Sequence, residues 1–107
     1  LNEDFKPNVQ ERLLKAFLDL VILQMLEHQP MSAYQIDKSI LRKFGDRMSP
    51  TVVYTKLSAM EAENMVKCVR SSHGRVYSLI EKGRKMAGDM PSIINEIQKV
   101  ALTLRVN

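Results

Sequence analysis

Residues 49–79 read SPTVVYTKLSAMEAENMVKCVRSSHGRVYSL, and within this stretch the period of the apolar residues changes once. Ser49-Pro50 is a helix-start pair, with serine as N-cap and proline at the first helical position, where its missing N–H costs nothing. The helix it opens is expected to run to about Asn64. On a helical wheel Val53, Leu57 and Met60 fall together, and Thr51, Thr55, Ser58, Ala59 and Ala62 form the opposite face. Ordinary solvent-facing helices favour Glu, Lys and Arg, so a face of short uncharged side chains points to close approach by another surface. After Met65 the period falls to two. Val66, Cys68 and Arg70 alternate with Lys67 and Val69, and Val76 and Ser78 alternate with Tyr77 and Leu79. The cluster Ser71-Ser72-His73-Gly74 between these runs is turn-forming, with a glycine for positive φ, so a β-hairpin is expected.

Upstream, the helix signals continue. Asn8 with Glu11 three residues on is a capping pattern opening a run with Leu14, Phe17, Leu18, Val21, Ile22 and Met25 at helical spacing. One helix is expected there, ending near His28, before Pro30. Ser32 and Gln35 form a capping box with Met31 and Ile36 as its hydrophobic staple, so a second helix starts at Ala33. Its buried stripe is expected to be Ile36, Ile40, Leu41 and Phe44, with Gly45 as a left-handed stop. Downstream, Glu81 begins another helical stretch, with a break or bend around Gly88 to Pro91. The last segment carries Met90, Ile94, Ile97, Ala101 and Leu104 at alternating spacings of four and three, flanked by Ile93 and Val100. That is more apolar surface than a lone terminal helix needs.

With 107 residues there is room for one domain and one core with an appended element, not for two domains. A hydrophobic fraction of 45% and a charged fraction of 26% disfavour disorder and membrane classes. The longest apolar stretch, Phe17 to Leu26, is interrupted by Asp19 and Gln24 and is too short for a bilayer span. No leader pattern opens the chain, and the single cysteine, Cys68, cannot form an internal disulfide, so a cytoplasmic location is expected. The net charge is +4. It is concentrated: from Val66 to Lys85, the basic residues Lys67, Arg70, Arg75, Lys82, Arg84 and Lys85 stand against the single acid Glu81, which suggests a surface for phosphates.

Three helices followed by a hairpin and a long or broken helix give a mainly α fold, a winged helix-turn-helix with the hairpin as wing. In such a module a helix enters the major groove of B-DNA, and short side chains let its axis approach the base edges. Thr51, Thr55 and Ser58 are then candidate base or phosphate contacts, with Tyr54 and Lys56 gripping phosphates beside them. The helix N-terminus at Ser49 also favours a phosphate. Arg70, His73 and Arg75 on the wing would reach the backbone or minor groove and add salt-dependent affinity. Glu61 and Glu63 would repel phosphates and are expected at the end away from DNA.

The residues also carry a resemblance. The strings Leu13-Leu14-Lys15-Ala16-Phe17-Leu18-Asp19-Leu20, Met31-Ser32-Ala33-Tyr34-Gln35-Ile36 and Met48-Ser49-Pro50-Thr51-Val52-Val53-Tyr54-Thr55-Lys56-Leu57 resemble PadR-type regulators. Gly74-Arg75-Val76-Tyr77-Ser78-Leu79 and Glu81-Lys82-Gly83-Arg84 continue the likeness, which spans roughly residues 12 to 86. The resemblance implies a homodimeric DNA-binding repressor of a compact subgroup with a single C-terminal dimerisation helix. It carries site roles onto Tyr34, Ser49, Pro50, Tyr54 and the wing from Gly74 to Tyr77. Three positions depart from the pattern: Ala33 satisfies only the size requirement where a glycine or small residue is usual, Ile80 stands in place of a capping threonine, and Thr55 in place of a common proline.

The expected organisation is a winged-helix domain over 8–86 and a dimerisation helix over 87–107. Met90, Ile93, Ile94, Ile97, Val100, Ala101 and Leu104 are the expected dimer contacts, because their spacing suits a two-helix seam. Packing back on the same domain is the competing arrangement. Two-fold symmetry sets two reading helices about one DNA turn apart, so a pseudo-palindromic operator is expected. The alternative is a protein-interaction module using the wing and third helix. No convergent nucleophile, base and orienting group is visible, so no enzyme is expected and no catalytic residue is assigned. Cys68 and His73 are too few ligands for a zinc, and no cofactor or metal is expected. The seven methionines suit either an adaptable pocket for a small apolar effector or gap-filling in the core.

Overall fold

The computed structural model describes residues 5–72 and 74–105, with side chains from Val9 onward; the expected wing contact His73 lies outside the described residues. The elements are α1 (Phe5–Ala16), α2 (Leu18–His28), α3 (Ala33–Phe44), α4 (Pro50–Ala62), β1 (Val66–Ser71), β2 (Gly74–Leu79), α5 (Glu81–Gly88) and α6 (Met90–Thr103). The expected first helix is therefore two. At Phe17 the backbone leaves helical geometry (φ −110°, ψ 24°), although Phe17 N–H still donates to Leu13 and Val21 N–H to Phe17. Across the bend, α1 reaches the end of α3, where the Gln10 amide donates to the Phe44 carbonyl at 2.8 Å and to Asp46 at 2.6 Å. Asn8 is not the cap it was expected to be, because the helix continues N-terminally to Phe5 and holds Pro7 in its first turn, where proline is tolerated.

The caps of α3 and α4 follow their local chemistry. Ser32 Oγ accepts from Gln35 N–H at 3.1 Å and the Gln35 side chain accepts from Ser32 N–H at 2.9 Å, a full capping box. Gly45 stops α3 at φ +79°. Ser49 caps α4 by accepting from Val52 N–H, and Pro50 takes the first turn. The helix ends at Ala62, two residues short of the expected Asn64, which itself takes φ +63°.

The core is built where these helices cross. Leu18, Ile22 and Leu23 of α2, Ile36 and Ile40 of α3, and Val53, Leu57 and Met60 of α4 are buried together with Val66, Tyr77 and Leu79 of the hairpin. Each such aliphatic side chain contributes about 1.5–3 kcal/mol. Leu41, expected in the stripe of α3, is 43% exposed; the fully buried neighbour on that side is Asp37. Met25, Met48, Met60 and Met65 are in the core and Met31, Met86 and Met90 pack against it, so the methionines act as fillers.

β1 and β2 pair antiparallel from Val66↔Leu79 to Ser71↔Gly74, so the connection is the two residues 72–73, and Gly74 has φ +102°. Met31 exchanges both backbone hydrogen bonds with Tyr77, at 3.0 and 2.8 Å, and so ties the start of α3 to β2. The chain breaks at Asp89, within the expected Gly88–Pro91 region. Ala87, assigned from sequence to the C-terminal segment, is buried in the core, whereas α6 has no buried residue and, of its apolar side chains, only Met90 packs against the core. No described helix is long and apolar enough to cross a membrane.

Candidate nucleic-acid interface

The α3–α4 turn sets where α4, which carries most of the site, begins. Asp37, with no exposed surface, accepts from Met48 N–H (3.0 Å) and Ser49 N–H (2.8 Å) through Oδ1 and from Arg47 Nε (2.9 Å) through Oδ2. Ser49 stands at φ +79°, ψ 143°, a backbone state that costs a non-glycine residue about 1–3 kcal/mol. The buried carboxylate holds that strained residue and thereby fixes where α4 begins. Sequence reading missed Asp37. A lone aspartate on a helix carries no local signal, because its partners are ten to twelve residues away.

From this start, α4 buries Val53, Leu57 and Met60 and turns Thr51, Thr55, Ser58, Ala59 and Ala62 outward. All five are exposed. The Thr55 hydroxyl donates to the Thr51 carbonyl at 2.9 Å, which leaves its oxygen as an acceptor facing out. Glu61 is turned to the hairpin, where its carboxylate accepts from Cys68 N–H at 3.2 Å.

Two grooves flank the exposed face. One, of about 440 Å³, brings Tyr34 of α3, Thr51 and Tyr54 of α4 and Arg75 of β2 together, with Ser32, Pro50 and Tyr77 in its walls. The other, of about 330 Å³, places Thr51, Thr55 and Lys56 beside Lys15. Tyr34 is 54% and Tyr54 38% exposed. Arg75 donates to the Tyr54 hydroxyl, and its guanidinium lies 5.3 Å from the Tyr54 ring centre, so the hairpin and α4 are joined by a cation–π contact. The Tyr54 hydrogen bond raises the Arg75 pKa further, so it remains a cation.

Arg70 and Arg75 stand directly opposite one another, share the ribbon face of Cys68 and Tyr77, and are exposed beyond the core. They bound a hollow of about 300 Å³ with Ser71 and Gly74. Like charges opposite each other across a ribbon are destabilising, and an anion between them relieves that cost. Ser58 lines neither groove, and Lys56 lines only the second. Among the described residues no group of three His, Cys, Asp or Glu side chains could hold a metal.

No protein-family profile matches the chain and no curated protein sequence matches it. Solved structures do. A PadR family transcription regulator from Clostridium difficile R20291 is 24% identical with a TM-score of 0.66, covering 82% of this chain and 97% of that one. A PadR-like transcriptional regulator from Bacillus cereus strain ATCC 14579 is 18% identical with a TM-score of 0.72, over 90% and 98%. Bacillus subtilis PadR, solved in complex with operator DNA, is 20% identical with a TM-score of 0.62, over 68% of this chain and 45% of that one. At these identities the likeness is one of fold, and the chain has the winged-helix fold of PadR-family transcription regulators.

Proposed function

We propose that the chain is a sequence-specific double-stranded DNA-binding transcriptional regulator, acting as a homodimeric repressor and not as an enzyme. The single observation that carries this reading is the exposed face of Thr51, Thr55 and Ser58 on a helix joined to a cationic ribbon through Tyr54 and Arg75. In this reading α4 enters the major groove, with Thr51, Thr55 and Ser58 at base edges or phosphates. Tyr34, Ser49, Tyr54 and Lys56 hold phosphates along its flanks, and Arg70 and Arg75 hold the strands where the wing meets them. The Bacillus subtilis protein of the same fold binds operator DNA, which favours DNA over a protein partner.

Dimerisation falls to α6. Its half-buried Ile93 and Ile97 and its exposed Ile94, Val100 and Ala101, with Leu104 just past its end, supply a seam that the subunit itself leaves open, and Met90, which packs against the core, borders it. Ile97→Glu is expected to shift the native mass from dimer to monomer, and a dimer that persists assigns the seam elsewhere. The DNA reading is tested by anisotropy titration of a labelled mixed-sequence duplex. Affinity falls steeply with salt, and Arg75→Ala and Thr55→Glu each weaken it; absence of duplex binding at low salt overturns the proposal.

A further inference from the structure

A groove larger than the two that flank α4 lies away from the α4 face. It has a volume of about 730 Å³ and runs between α3 and the hairpin, lined by Tyr34, Gln35, Lys38, Ser39 and Arg42 on one side and Ser71 and Val76 on the other. Two cations and no carboxylate are among its lining residues. Neither Lys38 nor Arg42 makes an ion pair among the described residues. Lys38 stands 5.3 Å from the centre of the Tyr34 ring, and Arg42 donates to Ser39 at 3.1 Å. Tyr34, Lys38 and Arg42 are spaced at four-residue intervals and share one row, with about 6 Å of helix rise between successive members.

Tyr34 also lines the groove that holds Thr51, Tyr54 and Arg75, so the two surfaces are continuous through its ring. Cations without an ion pair favour an anionic ligand most, and a polyanion already seated on α4 would meet them on leaving that face. We propose that Lys38 and Arg42 form a second phosphate track that grips the sugar-phosphate backbone of duplex DNA flanking the segment read by α4. This rests on the DNA-binding reading and enlarges its footprint along α3. The track contacts phosphates alone, so it adds affinity and no sequence preference.

The test is the salt dependence of binding to a labelled 40-base-pair mixed-sequence duplex. Lys38→Ala/Arg42→Ala is expected to lower the magnitude of the slope of log K against log[salt] by about 2, with roughly a tenfold to hundredfold weaker affinity at about 0.1 M salt. A second mixed-sequence duplex should show the same loss. Lys43→Ala removes a neighbouring charge that is directed at Gln24 of α2 (3.3 Å), and it should keep the wild-type slope. All three side chains are exposed, so thermal melts should coincide with wild type. If wild type binds and the double variant keeps the full slope, the track is refuted while the DNA reading stands. If wild type binds no duplex, both are overturned.

Discussion

Replacing Asp37 by alanine should cost more than any surface substitution in this protein, and the structure says how much. The carboxylate is fully buried and receives two backbone N–H groups, of Met48 and Ser49, at 3.0 and 2.8 Å. Hydrogen bonds to a charged group contribute about 1.5–3 kcal/mol each, and Met48 is itself buried, so its N–H gains little from water in the variant. The Arg47 contact contributes less, because the Arg47 side chain is 58% exposed and its charge is screened. The total loss is about 3–5 kcal/mol. For a chain of this size each kcal/mol corresponds to about 4–8 °C, so Asp37→Ala should melt at least 12 °C below wild type, if it folds at all. Asp37→Asn retains one acceptor oxygen and should lose about half as much. Urea denaturation of wild type, Asp37→Asn, Asp37→Ala and Arg47→Ala gives the ordering. The reasoning is refuted if Arg47→Ala is as damaging as Asp37→Ala, since the ion pair and not the backbone bonds would then hold the turn.

Other outcomes follow from single contacts. A Cβ at Gly83 would lie 2.1 Å from the Met65 carbonyl oxygen, so Gly83→Ala should destabilise by about 1–3 kcal/mol, whereas Gly88→Ala meets no atom within 4 Å and should be neutral or better; paired melts check this. Burial first, then the neighbouring Cys68, push the Tyr77 phenol above its ordinary value of 10.0. The folded state therefore holds that proton more tightly than the unfolded chain, and the stability this contributes is complete below pH 10 and lost as pH rises through the raised value. Tyr77→Phe should flatten that alkaline loss, and an unchanged profile of stability against pH would assign it to another group.

Much of the architecture is legible because it is written locally. Ser32 with Gln35, Gly45, and Ser49 with Pro50 each satisfy or terminate the helix end beside them, so a reading of near neighbours finds them. The outward face of α4 follows from periodicity alone. What escapes such reading depends on partners distant in sequence. The bend at Phe17 has no proline or glycine to announce it, and Asp37 looks like any polar helix residue until the 45–49 turn folds back on it. Leu41 fits the apolar period but stays exposed, while Asp37 four residues before it is buried. Tyr54 and Arg75 are 21 residues apart, and only closure of the hairpin onto α4 joins them into one site.

The central claim, that the outer face of α4 reads base sequence, is tested most directly by selecting bound duplexes from a random pool. Wild type is expected to enrich two inverted half-sites separated by about one helical turn, and Thr55→Glu to enrich none. Enrichment of no motif by wild type, or of the same motif by Thr55→Glu, would contradict it.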